Sequence, residues 1–189
     1  MSKNYYISDL HFSHKGVLRF DARPFFTVEE MNAELIRRWN LQIHRDDHVF
    51  ILGDFCWGKK EEWLDILKQL KGNKHLIKGN HDLKQYNREL KNQLVEITDY
   101  KEITDYIDGQ AKKVILCHYP ILFYKNNYNI NTYMLHGHVH KGLEYPYLTK
   151  FIKELKNNGF PCNLYNVGCM MSYMDYTPKT LKDILYKGV

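Results

Sequence analysis

No run of this sequence approaches the roughly 20 consecutive apolar residues that a membrane-spanning helix needs, so a membrane partner is not expected. Cysteine is sparse: only Cys56, Cys117, Cys162 and Cys169 are present, and no two stand at C-x-x-C spacing. That excludes a cysteine-built zinc site and a dense disulfide framework, and it favours a reducing, cytoplasmic setting. The opening "MSKNYYISDLHF" lacks a charged region followed by an apolar run, so no secretory leader is expected. Low-complexity tracts, linkers and internal repeats are missing too. With 44% hydrophobic and 26% charged residues, the 189-residue chain reads as a single domain, residues 1–189, with a real core. The formal charge of +5 suits an anionic substrate, but Lys and Arg are spread along the chain. No basic groove of the kind that grips nucleic acid stands out.

Histidine is plentiful by contrast, with ten in the chain and three of them inside "LHGHVH", Leu135 to His140. A short His-rich tract is only a compositional hint of metal binding. Here His138 and His140 alternate around Val139, so an extended backbone sends both rings to one face. Gly137 lets the backbone bend or approach closely.

Short apolar runs alternating with helical patterns point to an α/β domain. Strands are expected at "NYYIS", "HVFIL" (His48 to Leu52), "HLIK", "VILC" and "YML". Thr27 opens "TVEE", a capping box with Glu30, ahead of Val28, Met31, Leu35, Trp39 and Ile43 at helical spacing. Trp63, Ile66, Leu67 and Leu70 mark a second helix that stops near Gly72. Phe151, Ile152 and Leu155 mark a third, ended by Gly159 and Pro161. A final helix is expected at Thr177-Pro178, with proline in its first position.

Each expected strand empties into a ligand-type residue. "SDLHF" offers Asp9 and His11, "LGDF" offers Asp54, "KGNHD" offers Asn80 and His81, "LCHYP" offers His118, and "HGHVH" offers His138 and His140. Singly, such residues are more often turn, cap or core groups. Together, at five successive strand ends, they predict convergence, because ligands of α/β sheets gather beyond the carboxyl ends of the strands. Gly53, Gly79 and Gly137 precede the polar residues, as tight turns and close backbone approach require. Carboxylate, imidazole and amide donors suit Mn, Fe, Co, Ni or Zn rather than an all-oxygen calcium cage. With His81 set aside, since its neighbour Asn80 already offers a donor, seven remain, too many for one tetrahedral ion and right for two ions sharing a bridge. Divalent ions about 3.5–4 Å apart jointly lower the pKa of a bound water and clamp a phosphoryl group.

The ordered motifs D-x-H, G-D, G-N-H-D, a lone H and G-H-x-H, running from Asp9 to His140, resemble the calcineurin-like metallophosphoesterase superfamily. "HFSHKGVLRFDARPF" and "YNVGC" are similar to small bacterial and phage members known as predicted phosphoesterases. The resemblance implies two mixed β-sheets packed face to face and flanked by helices. It implies one divalent ion on Asp9, His11 and His140, a second on Asn80, His118 and His138, and Asp54 bridging them, with manganese favoured. His136 is then a bystander. The same resemblance gives His81, beside Asn80, the task of stabilising the transition state or protonating the leaving oxygen. Asp82 is expected to orient His81 or to cap a helix. His14 and Arg23 are candidates for gripping the substrate phosphate, Arg19 is expected at the surface, and Tyr124 to Tyr133 is expected as a loop beside the site.

The expected function is hydrolysis of a small phosphomonoester or phosphodiester. Two other uses stay open: a non-catalytic binding scaffold of the same fold, and a nuclease. No expected ligand is replaced, which favours the hydrolase over the scaffold. The many tyrosines permit base stacking, but they are not clustered enough to favour nucleic acid. The oligomeric state is not legible.

Overall fold

Three short apolar strands, each followed by a crossover, build the first half of the structure, a computed structural model that describes residues 2–187. They are β1 (Asn4–Ile7), β2 (His48–Ile51) and β3 (Asn73–Ile77), with β4 (Glu96–Thr98) added at the edge. All four pair in parallel, in the order β1-β2-β3-β4. Strands in such a sheet are covered on both faces, which is why Tyr5, Tyr6 and Ile7 are all buried in succession. The crossovers carry α1 (Val17–Phe20) and α2 (Val28–Gln42) after β1, then α3 (Lys60–Gln69) after β2; α4 (Arg88–Lys91) leads into β4. Helix α2 starts where expected: the Thr27 hydroxyl accepts from the Glu30 amide at 3.1 Å. It buries Met31, Leu35 and Trp39, and α3 buries Trp63, Ile66 and Leu67.

The second sheet runs β5 (Tyr100–Ile107), β6 (Gln110–Cys117), β7 (Thr132–His136) and β8 (Leu164–Asn166), in that spatial order. It is mixed, since β5 and β6 are antiparallel while β7 and β8 join in parallel. Asp108 and Gly109, at φ 49° and 79°, make the two-residue turn between β5 and β6, a geometry that needs left-handed backbone at both positions. The expected strand "VILC" is thus the second half of a longer hairpin arm.

Residue alternation explains how the sheets meet. Val114, Leu116, Tyr133 and Leu135 point inward and join Ile7, Ile51, Leu76 and the first helices in one buried cluster. Ile115, Met134 and Leu164 point outward and meet Leu148, Ile152 and Leu155 of α5 (Tyr145–Asn157). The result is two sheets face to face with helices outside.

One boundary differs from expectation. The last helix, α6, runs Leu181–Lys187 and does not begin at Pro178. Lys179 is held extended by an antiparallel bridge to Tyr6, with amide-to-carbonyl bonds of 2.8 and 3.2 Å. That bridge also adds an antiparallel contact to the edge of the first sheet. Thr180 then takes the capping role, accepting from the Asp183 amide at 3.2 Å and donating to its carboxylate at 2.7 Å. No helix among the described residues is long and apolar enough to cross a membrane.

Candidate metal centre

The carboxyl ends of β1, β2, β3, β6 and β7 open onto one cavity of about 590 Å³. Its lining includes His11, His14, Asp54, Asn80, His81, His138 and His140. Asp9 and His118 lie just beneath, both fully buried. The structure therefore brings all seven expected ligands to one place, with His81 and His14 beside them.

Two donor sets emerge from the geometry. Asp9, His11 and His140 offer atoms within 4.8 Å of one another, and so do Asp9, Asp54 and His118. Asp54 Oδ2 lies 3.6 Å from His11 Nε2 and 3.7 Å from His118 Nε2, too far for a hydrogen bond and well placed for a shared cation. His11 Nε2 is buried without any partner. His118 Nδ1 sits 2.8 Å from the Leu52 carbonyl, which fixes the proton there and leaves Nε2 as an acceptor. That acceptor faces Asn80 Oδ1, a second acceptor, at 2.9 Å, and His138 Nδ1 lies 3.0 Å from the same oxygen. Three potential donor atoms thus converge within hydrogen-bond distance, an arrangement that suits a cation. The donor chemistry and the orphaned His11 nitrogen both fit divalent metal binding.

The backbone is bent to achieve this. Asp9, His11, Asp54 and His138 have φ of 54°, 48°, 51° and 67°, a left-handed region that costs a non-glycine residue about 1–3 kcal/mol. Four such residues among seven candidate ligands mark a strained, over-determined site. Gly53 (φ 81°) makes the turn before Asp54, and a side chain there would come within 2.5 Å of His118 Nδ1. At Gly137 a Cβ would meet Asp9 Oδ2 at 2.5 Å, so only glycine lets the histidine loop lie against β1.

Charge follows the same plan. Burial works against ionised Asp9, yet the neighbouring charge of His140, with help from His118 and His11, holds it well below the usual carboxylate range. Burial pushes His11 down to about 3, so it stays a neutral ligand. For His140 burial also opposes charge, but the carboxylates of Asp21 and Asp9 outweigh it and raise the imidazole to about 9. His136 is buried, held down to about 4 by that burial, and its Nδ1 lies 2.8 Å from the Gly137 carbonyl. It stands behind the histidine loop and does not line the cavity.

Supporting residues refine the expectations. Arg23 does not reach the cavity: its side chain is 0% exposed, so it is not available to a substrate phosphate. Its guanidinium donates to the Leu10 and Asp9 carbonyls, each at 2.8 Å, and to Asp21 Oδ2 at 3.0 and 3.1 Å. Asp21 in turn binds His140 Nδ1 at 2.6 Å. A buried Arg–Asp–His chain thus orients one candidate ligand, the usual support for a metal-bound imidazole. Asp82 neither orients His81 nor caps a helix. Its carboxylate accepts the amides of Asp54 (3.1 Å), Phe55 (2.8 Å) and Gly79 (2.8 Å), tying the β2 and β3 loops together. Burial raises it to about 6. The segment Tyr124 to Tyr133 lines none of the cavity; Tyr124 is buried beneath the second sheet instead. Arg19 is exposed, as expected.

Sequence reasoning overlooked Asp21 and Trp57. Asp21 stands inside "FDARPF", two residues before Arg23, and that spacing was the available signal. Trp57 stacks on His14 at 4.1 Å, nearly parallel, and lies 4.7 Å from the His81 ring, forming one wall of the cavity. The "YNVGC" stretch also acquires a role: Asn166 donates to the Val139 carbonyl at 2.5 Å, and Cys169 Sγ contacts the Asp9 carbonyl at 3.0 Å.

Comparison with known proteins follows the same residues. A sequence profile described as calcineurin-like phosphoesterase matches residues 5–164. An uncharacterised protein of Methanocaldococcus jannaschii is 33% identical over 159 residues, covering 82% of this chain and 80% of that protein. The gene 66 protein of Mycobacterium phage L5 is 36% identical over 85 residues, 43% of this chain and 41% of that protein. A crystal structure of a protein of unknown function from Aquifex aeolicus superposes with a TM-score of 0.70 at 27% identity, covering 98% of this chain and 99% of that one.

Proposed function

The chain belongs to the calcineurin-like phosphoesterase family, and from that premise we propose that it is a dinuclear, metal-dependent hydrolase of small phosphoric esters. Asp9, His11 and His140 would hold one divalent ion and Asn80, His118 and His138 the other, with Asp54 between them; manganese is the favoured metal. The observation that carries this reading is Asp54 Oδ2, poised 3.6 and 3.7 Å from two imidazole nitrogens, beyond hydrogen-bond range of either. Bound there, such a pair supplies Lewis acidity and makes water nucleophilic near neutral pH.

The chain's own residues do the rest. Asp21 and Arg23 hold the His140 ring in its ligating orientation. Asp82 keeps the Asp54 and Gly79 loops in register. His81 is exposed at the cavity, and its backbone is anchored by a 2.9 Å bond from its amide to Asp54 Oδ1. Its imidazole can therefore donate a proton to the leaving oxygen, or stabilise charge on the phosphoryl group, without being a ligand. His14 and Trp57, stacked on each other beside His81, form an aromatic wall of the cavity. The free cysteines among the described residues suit a reducing compartment, and we place the protein in the cytoplasm.

The test compares Mn-loaded and chelator-stripped protein on p-nitrophenyl phosphate and bis(p-nitrophenyl) phosphate. Hydrolysis that depends on metal and is lost in Asp54→Asn supports the reading. Activity unchanged by stripping contradicts it, and inactivity on both esters with rapid cleavage of DNA or RNA would make the protein a nuclease.

A further inference from the structure

A second cavity, of about 600 Å³, opens directly beside the metal centre. Its walls are Tyr119, Pro120, Leu122, Tyr147, Leu148 and Phe151, and it shares His138 and Glu144 with the first. The Tyr119 ring stands edge-on to His138 at 4.6 Å. Tyr119 and Tyr147 are 46% and 78% exposed, so the groove presents aromatic surface to whatever enters. His138 is thus a ligand on one side and a groove wall on the other. The shared residues make this surface continuous with the metal centre, so a group esterified to a phosphate held there could lie against it.

Charge narrows the occupant. Among the described residues no Lys or Arg lines either cavity, although the chain carries a formal charge of +5. Extra phosphates of a polyphosphate or nucleic-acid strand would find no cationic partner here. Glu144, at the junction, opposes further negative charge, and Asp9 and Asp54 already offset part of the charge of two divalent ions. These features favour a single negative charge on the phosphate and an apolar group beside it.

We infer that the groove between Tyr119 and Phe151 is the subsite for one arm of the substrate, and that the substrate is a small phosphodiester monoanion bearing an aromatic or bulky aliphatic alcohol. This rests on the hydrolase reading, since the metal centre fixes where the phosphate sits.

Calorimetry on the Mn-loaded full chain, with dimethyl phosphate and benzyl methyl phosphate as probes, tests the groove without relying on turnover. The benzyl diester should bind at least about tenfold more tightly, as expected for partial burial of one aromatic ring. That ratio should collapse towards one in Phe151→Asp, with Tyr147→Asp as a second variant, and far-UV circular dichroism establishes that each is folded. Equal affinities in the unaltered protein, or a ratio that survives both substitutions, would overturn the subsite. The kcat/KM for bis(p-nitrophenyl) phosphate should exceed that for p-nitrophenyl phosphate, and the reverse order would overturn the diester assignment. If neither ester is hydrolysed while the benzyl preference stands, the hydrolase reading fails and the groove survives. If both are hydrolysed without any benzyl preference, the groove fails alone.

Discussion

Asp21 Oδ1 lies 2.6 Å from His140 Nδ1, with the Asp21 carboxylate only 2% exposed. The contact leaves His140 Nε2 free and aimed towards Asp9, 3.6 Å from its Oδ1. Replacing Asp21 by Asn should weaken metal binding at the Asp9–His11–His140 set by about 10–100-fold while leaving the fold intact. Titration of stripped protein with Mn, followed by calorimetry, measures the change. An unaltered affinity would mean that the Asp21–His140 contact does not serve the metal.

Arg23 gives a prediction that separates structure from substrate binding. It joins Asp21 to the backbone around Asp9, so Arg23→Ala takes the cationic partner from a buried carboxylate and a hydrogen bond from each of the Leu10 and Asp9 carbonyls. Loss of one partner of such a pair should cost about 3 kcal/mol or more of stability, read by urea unfolding. At saturating metal, KM of the folded fraction should barely move. A stable variant with a much larger KM would return Arg23 to the substrate.

The strand-end ligands were legible because their pattern is local and repeated: a glycine or strand terminus, then a carboxylate, amide or imidazole, five times over. The sequence could not say where Arg23 points. A guanidinium in a loop rich in Arg and Lys reads as surface or as phosphate grip, and only the path of α1 and the following turn buries it. Asp82 was opaque for a similar reason, since two of its three partners are backbone amides of a loop 27 and 28 residues away. Edge strands β4 and β8 have three residues each, too short for periodicity to register. The late start of α6 depends on pairing between Lys179 and Tyr6 across the whole chain, which overrides the local preference of Pro178.

His81 and His138 should part company when truncated. His81→Ala should retain both ions and still lose about 10²–10⁴-fold in rate. The loss should be larger for an alkyl leaving group than for p-nitrophenol, whose stable anion needs little protonation. His138→Ala should lose metal first and activity as a consequence. Metal content and rates for both variants on both leaving groups decide the matter. Metal loss in His81→Ala would contradict its assignment as a non-ligand, and equal slowing of both leaving groups would assign it to the phosphoryl charge instead.

The metal-free protein should carry a pH signature. Burial opposes a charged His140, but Asp21 and Asp9 raise it to about 9 in the folded chain from an ordinary 6.5. A raised folded value means that the proton stabilises the fold: the contribution is complete below pH 6.5 and is lost as pH climbs through 9. In Asp21→Asn that loss should shrink. Urea unfolding of both stripped proteins across this window measures it, and parallel pH dependences would contradict the assignment.

If Asp54 joins two ions, metal stoichiometry must show both. Stripped protein reloaded with Mn to saturation, then freed of excess and analysed for metal, should hold about two ions per chain, and Asp54→Asn should hold fewer and lose activity with them. A single ion at saturation, with full hydrolytic activity, would contradict the account.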